Sequence, residues 1–248
     1  EHIIVEFFKD KNIFREKIVE KSAVEYSINA KTLLEVSSHY GVGLAEFANR
    51  FDVYGVEALK VAARFSERYY PELTNRISAE LFENSETFLM KNGPFDIVVL
   101  SFVFRHMPQP RKALELLQKT TSENALVLVD EGVFLDFISD VTYEQAQLTF
   151  SHGKMYYYTV DSLVYLFQQY GFDVKDVSFA MSERFGYEYS CVVFQKGRVD
   201  PAEDDRIDRS LNKSNEVIKY YRSLPRHKRD EVVIEVNFDS RLRKFFGG

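Results

Sequence analysis

Between Thr32 and Gly197 the chain alternates two hydrophobic patterns, and no other feature of it restricts the fold so tightly. TLLEV (Thr32 to Val36), DVYGVE, FDIVVLSFVF (Phe95 to Phe104) and ALVLVDEG (Ala125 to Gly132) are short apolar runs rich in β-branched residues. GLAEFANRF, ALKVAARFSERYY and the stretch from Gln109 to Thr120 instead repeat apolar residues at helical spacing. A run such as FDIVVLSFVF, apolar at nearly every position, suits a strand buried on both faces, as in a parallel sheet covered by helices. Strands alternating with helices imply right-handed crossovers, so an α/β fold with a doubly wound, mostly parallel sheet is predicted.

The pattern changes further on. TVDSLVYLFQQYGF reads as a helix with Thr159 as N-cap and Gly171 at its stop. FDVKDVSFA and YEYSCVVFQKG follow with little between them, which predicts an antiparallel hairpin and brings the sheet to seven strands. Cys191 and Met107 are expected in the core. Near residue 199 the composition turns to DPAEDDRIDRSLNKSNE, a charged linker, followed by a helix-like NEVIKYYRSL and by DEVVIEVNF, which resembles a strand in need of a partner. Residues 1–199 are therefore read as one α/β domain. Residues 200–248 are read as a charged, partly helical tail, a docking or dimerisation segment or the opening of a further domain.

Charge and cysteine usage exclude several functions. Across 248 residues, 32 basic side chains face 38 acidic ones, a formal charge of −6, so a nucleic-acid partner is not expected. No apolar run is long enough to span a membrane, and EHIIVEFFKDK lacks the layout of a secretory signal. A start at Glu1 suggests that a native beginning precedes it. The single cysteine, Cys191, leaves no intrachain disulfide and no cysteine-rich metal site, which suits a cytoplasmic protein without a metal. The three-glycine dinucleotide fingerprint, the Gly-x-Ser-x-Gly elbow and the phosphate loop are all missing.

In an open α/β sheet, ligands bind beyond the carboxyl ends of the strands where strand order reverses, so residues just after strands carry the chemistry. After the first strand come Glu35, Ser37, Ser38, His39, Tyr40, Gly41 and Gly43, and Glu57 ends the second. Asn84 and Ser85 are expected after the third, Ser101, Phe104, Arg105 and His106 after the fourth, and Asp130 and Glu131 after the fifth. Acids ending two successive strands favour a bound ligand over simple capping of the neighbouring helices.

This arrangement resembles the class I S-adenosylmethionine-dependent methyltransferases over residues 30–197. LLEVSSHYGVG stands where the family has an acid followed by glycines at alternate positions; Glu35 matches the acid and Gly41 the last glycine, while Ser37 and His39 replace the first two. VYGVEALKVAARF supplies Glu57 for the ribose hydroxyls, and ENSETF places Asn84 and Ser85 by the adenine. FDIVVLSFVFRHMPQPRKALELL and HGKMYYYTVDSLVYLFQQYGFDVKDV resemble later family segments, the second common in methyltransferases of small molecules and sugars. The resemblance implies a Rossmann-like methyltransferase fold. It also implies S-adenosylmethionine as cofactor, held by Glu35, Ser37, His39, Gly41, Glu57, Ala58, Asn84, Ser85 and Ser101. His106 or His152 would be the base for a small polar acceptor, a sugar or glycan hydroxyl. The alternative is a methyltransferase-like scaffold that has lost catalysis because His39 fills the cofactor pocket. A homo-oligomer or a fused partner through residues 200–248 is a further expectation.

Overall fold

The apolar runs become strands, and their burial follows the alternation. The computed structural model describes residues 17–26, 29–131, 155–156, 158–182, 187–197 and 234–237. It divides into two units, one holding residues up to Val103 together with Gln109–Leu128, the other Phe104–Pro108 and the residues from Val129 onward.

In the first unit a helix over residues 17–25 (α1) precedes β1 (Thr32–Val36), α2 (Val42–Phe47), β2 (Asp52–Val56) and α3 (Lys60–Tyr69). β3 (Ile77–Ser78), α4 (Glu86–Asn92), β4 (Phe95–Ser101), α5 (Pro110–Thr120) and β5 (Thr121–Glu131) follow, the end of β5 from Val129 falling in the second unit. The strand order is β3-β2-β1-β4-β5. β1 pairs in parallel with β2 on one side and β4 on the other, so Val36 lies beside both Val56 and Leu100. Strand order thus reverses beside β1, which makes the carboxyl ends of β1, β2 and β4 the expected ligand position. Leu33, Leu34 and Ile97 to Leu100 are fully buried, as the unbroken apolar run requires.

In the second unit α6 (Val160–Gln168) leads to β6 (Phe172–Ser182), β7 (Tyr187–Lys196) and β8 (Ile234–Asn237), with strand order β5-β7-β6-β8. β6 and β7 form the expected antiparallel pair, with a bulge between Val174 and Asp176. Thr159 caps α6 through a reciprocal bond pair with Ser162, and Gly171 beyond it takes φ 78°. Phenylalanines do the packing: Phe167 stacks on Phe194 with ring centroids 4.2 Å apart and lies against Phe104 at 5.2 Å. Cys191 and Met107 are buried as expected.

The structure differs from the sequence reading in four places. β4 stops at Ser101 rather than Phe104, because Phe102 turns left-handed at φ 53° and Phe104–His106 form a 3-10 turn. β5 starts four residues before Ala125, at Thr121. β3 is only two residues long, so Ala79 and Glu80 follow it directly and Asn84 lies a turn further on. The partner of the strand in DEVVIEVNF is β6, which pairs Val177 with Val236, so that β8 joins the expected seven strands among the described residues. Gly132 and NEVIKYYRSL lie outside the described residues.

At the amino end of β4, Asp96 ties β1 to β5. Its Oδ2 accepts from Lys31 N (2.8 Å) and Thr32 N (3.1 Å), and its Oδ1 from Ser122 Oγ (2.7 Å). Burial acts to raise its pKa, but the bonds donated by Lys31, Ser122 and Thr32 outweigh it and hold the carboxyl below its ordinary value. A depressed folded pKa gives stability that is present above the unfolded value, about 3.9, and lost as pH falls through the folded one. Asp96→Ala is expected to cost about 1–2 kcal/mol at neutral pH, allowing for its partial exposure. Urea melts at pH 7 and pH 3 check this: the deficit should shrink at the lower pH, and an equal deficit at both contradicts the assignment.

Candidate cofactor site

Parallel register places the carboxyl ends of β1 and β2 side by side, so the loop after β1 meets Glu57. Ser37, His39 and Gly41 in that loop have φ of 63°, 48° and 76°. These are three left-handed residues at alternate positions, the backbone path that alternate glycines would take. Glycine adopts it freely, whereas a serine or histidine there costs about 1–2 kcal/mol each.

Specific bonds hold this path. Ser37 N and Ser38 N donate to Val56 O at 2.8 and 3.3 Å, and Gly41 N donates to Ser38 O at 2.9 Å. His39 N donates to Glu57 Oε2 at 2.8 Å, and Ser66 Oγ on α3 lies 3.2 Å from His39 O. Glu57 Oε1 accepts from Leu59 N at 2.7 Å, which fixes the start of α3 to the same carboxylate. Gly41 has to be a glycine: a Cβ there would lie 2.8 Å from Ser66 Cβ and 2.9 Å from Leu73 Cδ1.

A carboxylate offers about four lone-pair positions, and the two backbone donors to Glu57 leave about two for a ribose diol. Glu57 is 6% exposed, while Ala58 and Leu59 beside it are open, Leu59 at 56%, so the carboxylate adjoins an apolar surface suited to a flat base. Ser38 Oγ is buried with no hydrogen-bond partner among the described residues, and a polar ligand group would relieve that cost. These features fit an adenosyl cofactor.

The structure brings Glu35, Ser37, His39, Gly41, Glu57, Ala58 and Ser101 around the carboxyl ends of β1, β2 and β4. Glu35 and Ser101 are buried. His39 is exposed, its Nε2 lying 3.4 Å from Ser37 Oγ. Asn84 is exposed in the Phe82–Asn84 turn. Ser85 is buried, 3.2 Å from Ser78 Oγ and donating to Leu81 O at 3.0 Å, so its hydroxyl braces the loop after β3. His106, in the second unit, is exposed at the end of its 3-10 turn, where Arg105 O accepts from Met155 N and Tyr156 N. His152 lies outside the described residues. Sequence reasoning missed Ser66, whose signal is a lone serine on the buried face of α3. Among the described residues no group of acids, histidines or cysteines is arranged to hold a metal, and no helix is long and apolar enough to cross a membrane.

Left-handed strain at two non-glycine positions has a measurable consequence. Ser37→Gly and His39→Gly are each expected to stabilise by about 0.5–1 kcal/mol, the relief of 1–2 kcal/mol being offset by the extra freedom of an unfolded glycine. Gly41→Ala is expected to cost more than about 2 kcal/mol, from strain plus overpacking. Denaturant melts of the three variants read this; destabilisation by either glycine substitution contradicts it.

Comparison with known proteins agrees with this fold. A family profile described as a methyltransferase domain matches residues 12–177. Among curated proteins none matches this sequence. An S-adenosylmethionine-dependent methyltransferase from Clostridium acetobutylicum has a similar fold, with TM-score 0.56 and 11% identity over 73% of this chain and 89% of that one. The N-methyltransferase NodS from Bradyrhizobium japonicum, solved with S-adenosyl-l-homocysteine, gives TM-score 0.55 and 12% identity over 74% and 87%. CalS10 from Micromonospora echinaspora, an amino pentose methyltransferase solved with S-adenosylmethionine, gives 0.54 and 13% over 75% and 90%. With its sheet order, its left-handed loop and a family match over most of its length, the chain belongs to the class I S-adenosylmethionine-dependent methyltransferases.

Proposed function

We propose that this methyltransferase acts on a small polar acceptor, a hydroxyl of a sugar or glycan. The observation that carries the cofactor half of this reading is Glu57, a buried carboxylate that clamps two loops and keeps acceptor capacity beside an open apolar surface. When bound, S-adenosylmethionine supplies a methyl group on a positively charged sulfur. Glu57 would accept from the two ribose hydroxyls, Ala58 would lie by the base, and Asn84 would accept from the base amine, with Ser85 bracing its turn. Glu35, Ser37, His39 and Gly41 form the wall at the amino-acid end, and Ser101 closes the β4 side. The chain contributes alignment, because a displacement in line demands position more than chemistry. His106 takes the acceptor's proton, with His152 as the second candidate, imidazole being the side chain most often used as a general base.

The sugar assignment is supported by Tyr156 and Tyr158, whose rings stack at 5.9 Å with Tyr156 partly open to solvent, and by the fold shared with CalS10, an amino pentose methyltransferase. A single buried cysteine, Cys191, suits the cytoplasm. Residues 200–248, whose strand β8 pairs with β6, serve as a docking or dimerisation segment of the 1–199 domain, or as the opening of a further one.

Calorimetric titration with S-adenosylhomocysteine tests the cofactor half. Micromolar binding is expected for the unaltered protein, and Glu57→Gln is expected to weaken it at least about tenfold, since hydrogen bonds to a charged group are lost. Absence of binding, or binding that the substitution leaves alone, overturns the assignment. In turnover with a sugar acceptor, His106→Ala is expected to lower kcat by about 10²–10⁴ with cofactor affinity unchanged; an unchanged kcat removes His106 as the base.

A further inference from the structure

The first unit carries a cleft of about 530 Å³ that shares no residue with the cofactor set. Lys60 and Arg64, one turn apart on α3, and Lys91 in the last turn of α4 line it, with Glu80 as the opposing charge. Three cations against one carboxylate give an excess of positive charge in a chain whose formal charge is −6. Several other cations of this protein are paired: Lys119 bonds Glu86 at 3.2 Å, Arg76 bonds Asp52, and Arg50 bonds Glu20. Lys60, Arg64 and Lys91 make no ion pair and no side-chain hydrogen bond among the described residues.

Like charges gathered around a concavity repel one another and raise the local potential, an arrangement that an anion reverses. Lys60 is also the first residue of α3, the end of a helix where the backbone dipole favours a negative group. A cation there is a local cost that a bound anion would offset. The cleft also has an apolar side: Phe88, half-buried, and Ala79 line it along with the methylene stems of the basic residues.

We propose that this cleft binds a small phosphate ester. Arg64 offers its planar fork to two phosphate oxygens, Lys60 and Lys91 supply two further charges, and Thr87 adds a hydroxyl. The organic part of the ester lies on Phe88. The volume lies in the range of ordinary small-molecule sites, which suits a sugar phosphate or a mononucleotide. Glu80 repels a second acidic group and limits the site to one phosphate.

Calorimetry in a phosphate-free buffer of low ionic strength, with saturating S-adenosylhomocysteine present to keep ligands from the cofactor site, tests this with three probes: inorganic phosphate, glucose 6-phosphate and uridine monophosphate. Saturable one-site binding is expected for all three, tighter for the esters than for inorganic phosphate. The double variant Arg64→Gln, Lys91→Gln is expected to weaken each at least about tenfold. Both side chains are exposed and unpaired, so the variant keeps the fold, which a thermal melt verifies. Arg111→Gln, at an exposed position on α5 outside the cleft, is expected to change nothing. The tighter ester assigns the source, sugar phosphate or nucleotide. No saturable binding of any probe at about 10 mM, well above ordinary site affinities, or a loss shared by Arg111→Gln, overturns the site.

Discussion

One carboxylate holds the ligand-facing edge of this sheet together. Glu57 accepts His39 N through one oxygen and Leu59 N through the other, so the loop after β1 and the start of α3 are anchored to a single side chain. Parallel register of β1 and β2 brings the two ends within reach, and it rests on buried, mostly apolar side chains such as Leu33, Leu34, Val53 and Val56. Position then becomes chemistry. A carboxylate gripped by two backbone amides is oriented before any ligand arrives, which is the preorganisation that the proposed recognition of a ribose diol requires.

The same bonds explain how Ser37 and His39 tolerate left-handed backbone. Strain of this kind persists only where its surroundings over-determine it, and here Val56 O, Glu57 and Ser66 all engage the loop. His39 consequently projects its side chain outward beside Ser37, exposed to solvent, where a glycine would leave open space.

Much of this is legible in the residues, and the rest is hidden for physical reasons. TLLEV becomes β1 without a change of boundary because Leu33, Leu34 and Val36 are buried and leave a compact apolar signal. The capped α6 and the β6–β7 hairpin are equally plain, since Thr159 and Gly171 punctuate them. β3 is not, because two residues carry no period and its pairing rests on backbone bonds to β2. β4 reads as longer than it is because Phe102 looks like strand and turns left-handed. Glu57 is identifiable from its place at a strand end, but its grip on His39 N is invisible, since backbone donors leave no mark on a sequence. The left-handed loop is hidden most thoroughly: serine and histidine stand where glycine would have announced it.

The central claim is that Glu57 and the left-handed loop form one prebuilt cofactor cradle. A crystal structure of the chain with S-adenosylhomocysteine tests it most directly. The expected result has both ribose hydroxyls within hydrogen-bond distance of the Glu57 carboxylate, His39 N still donating to it, and Ser37 and His39 still at positive φ. A nucleoside bound elsewhere, or a loop that abandons the left-handed path when the ligand enters, would contradict the account.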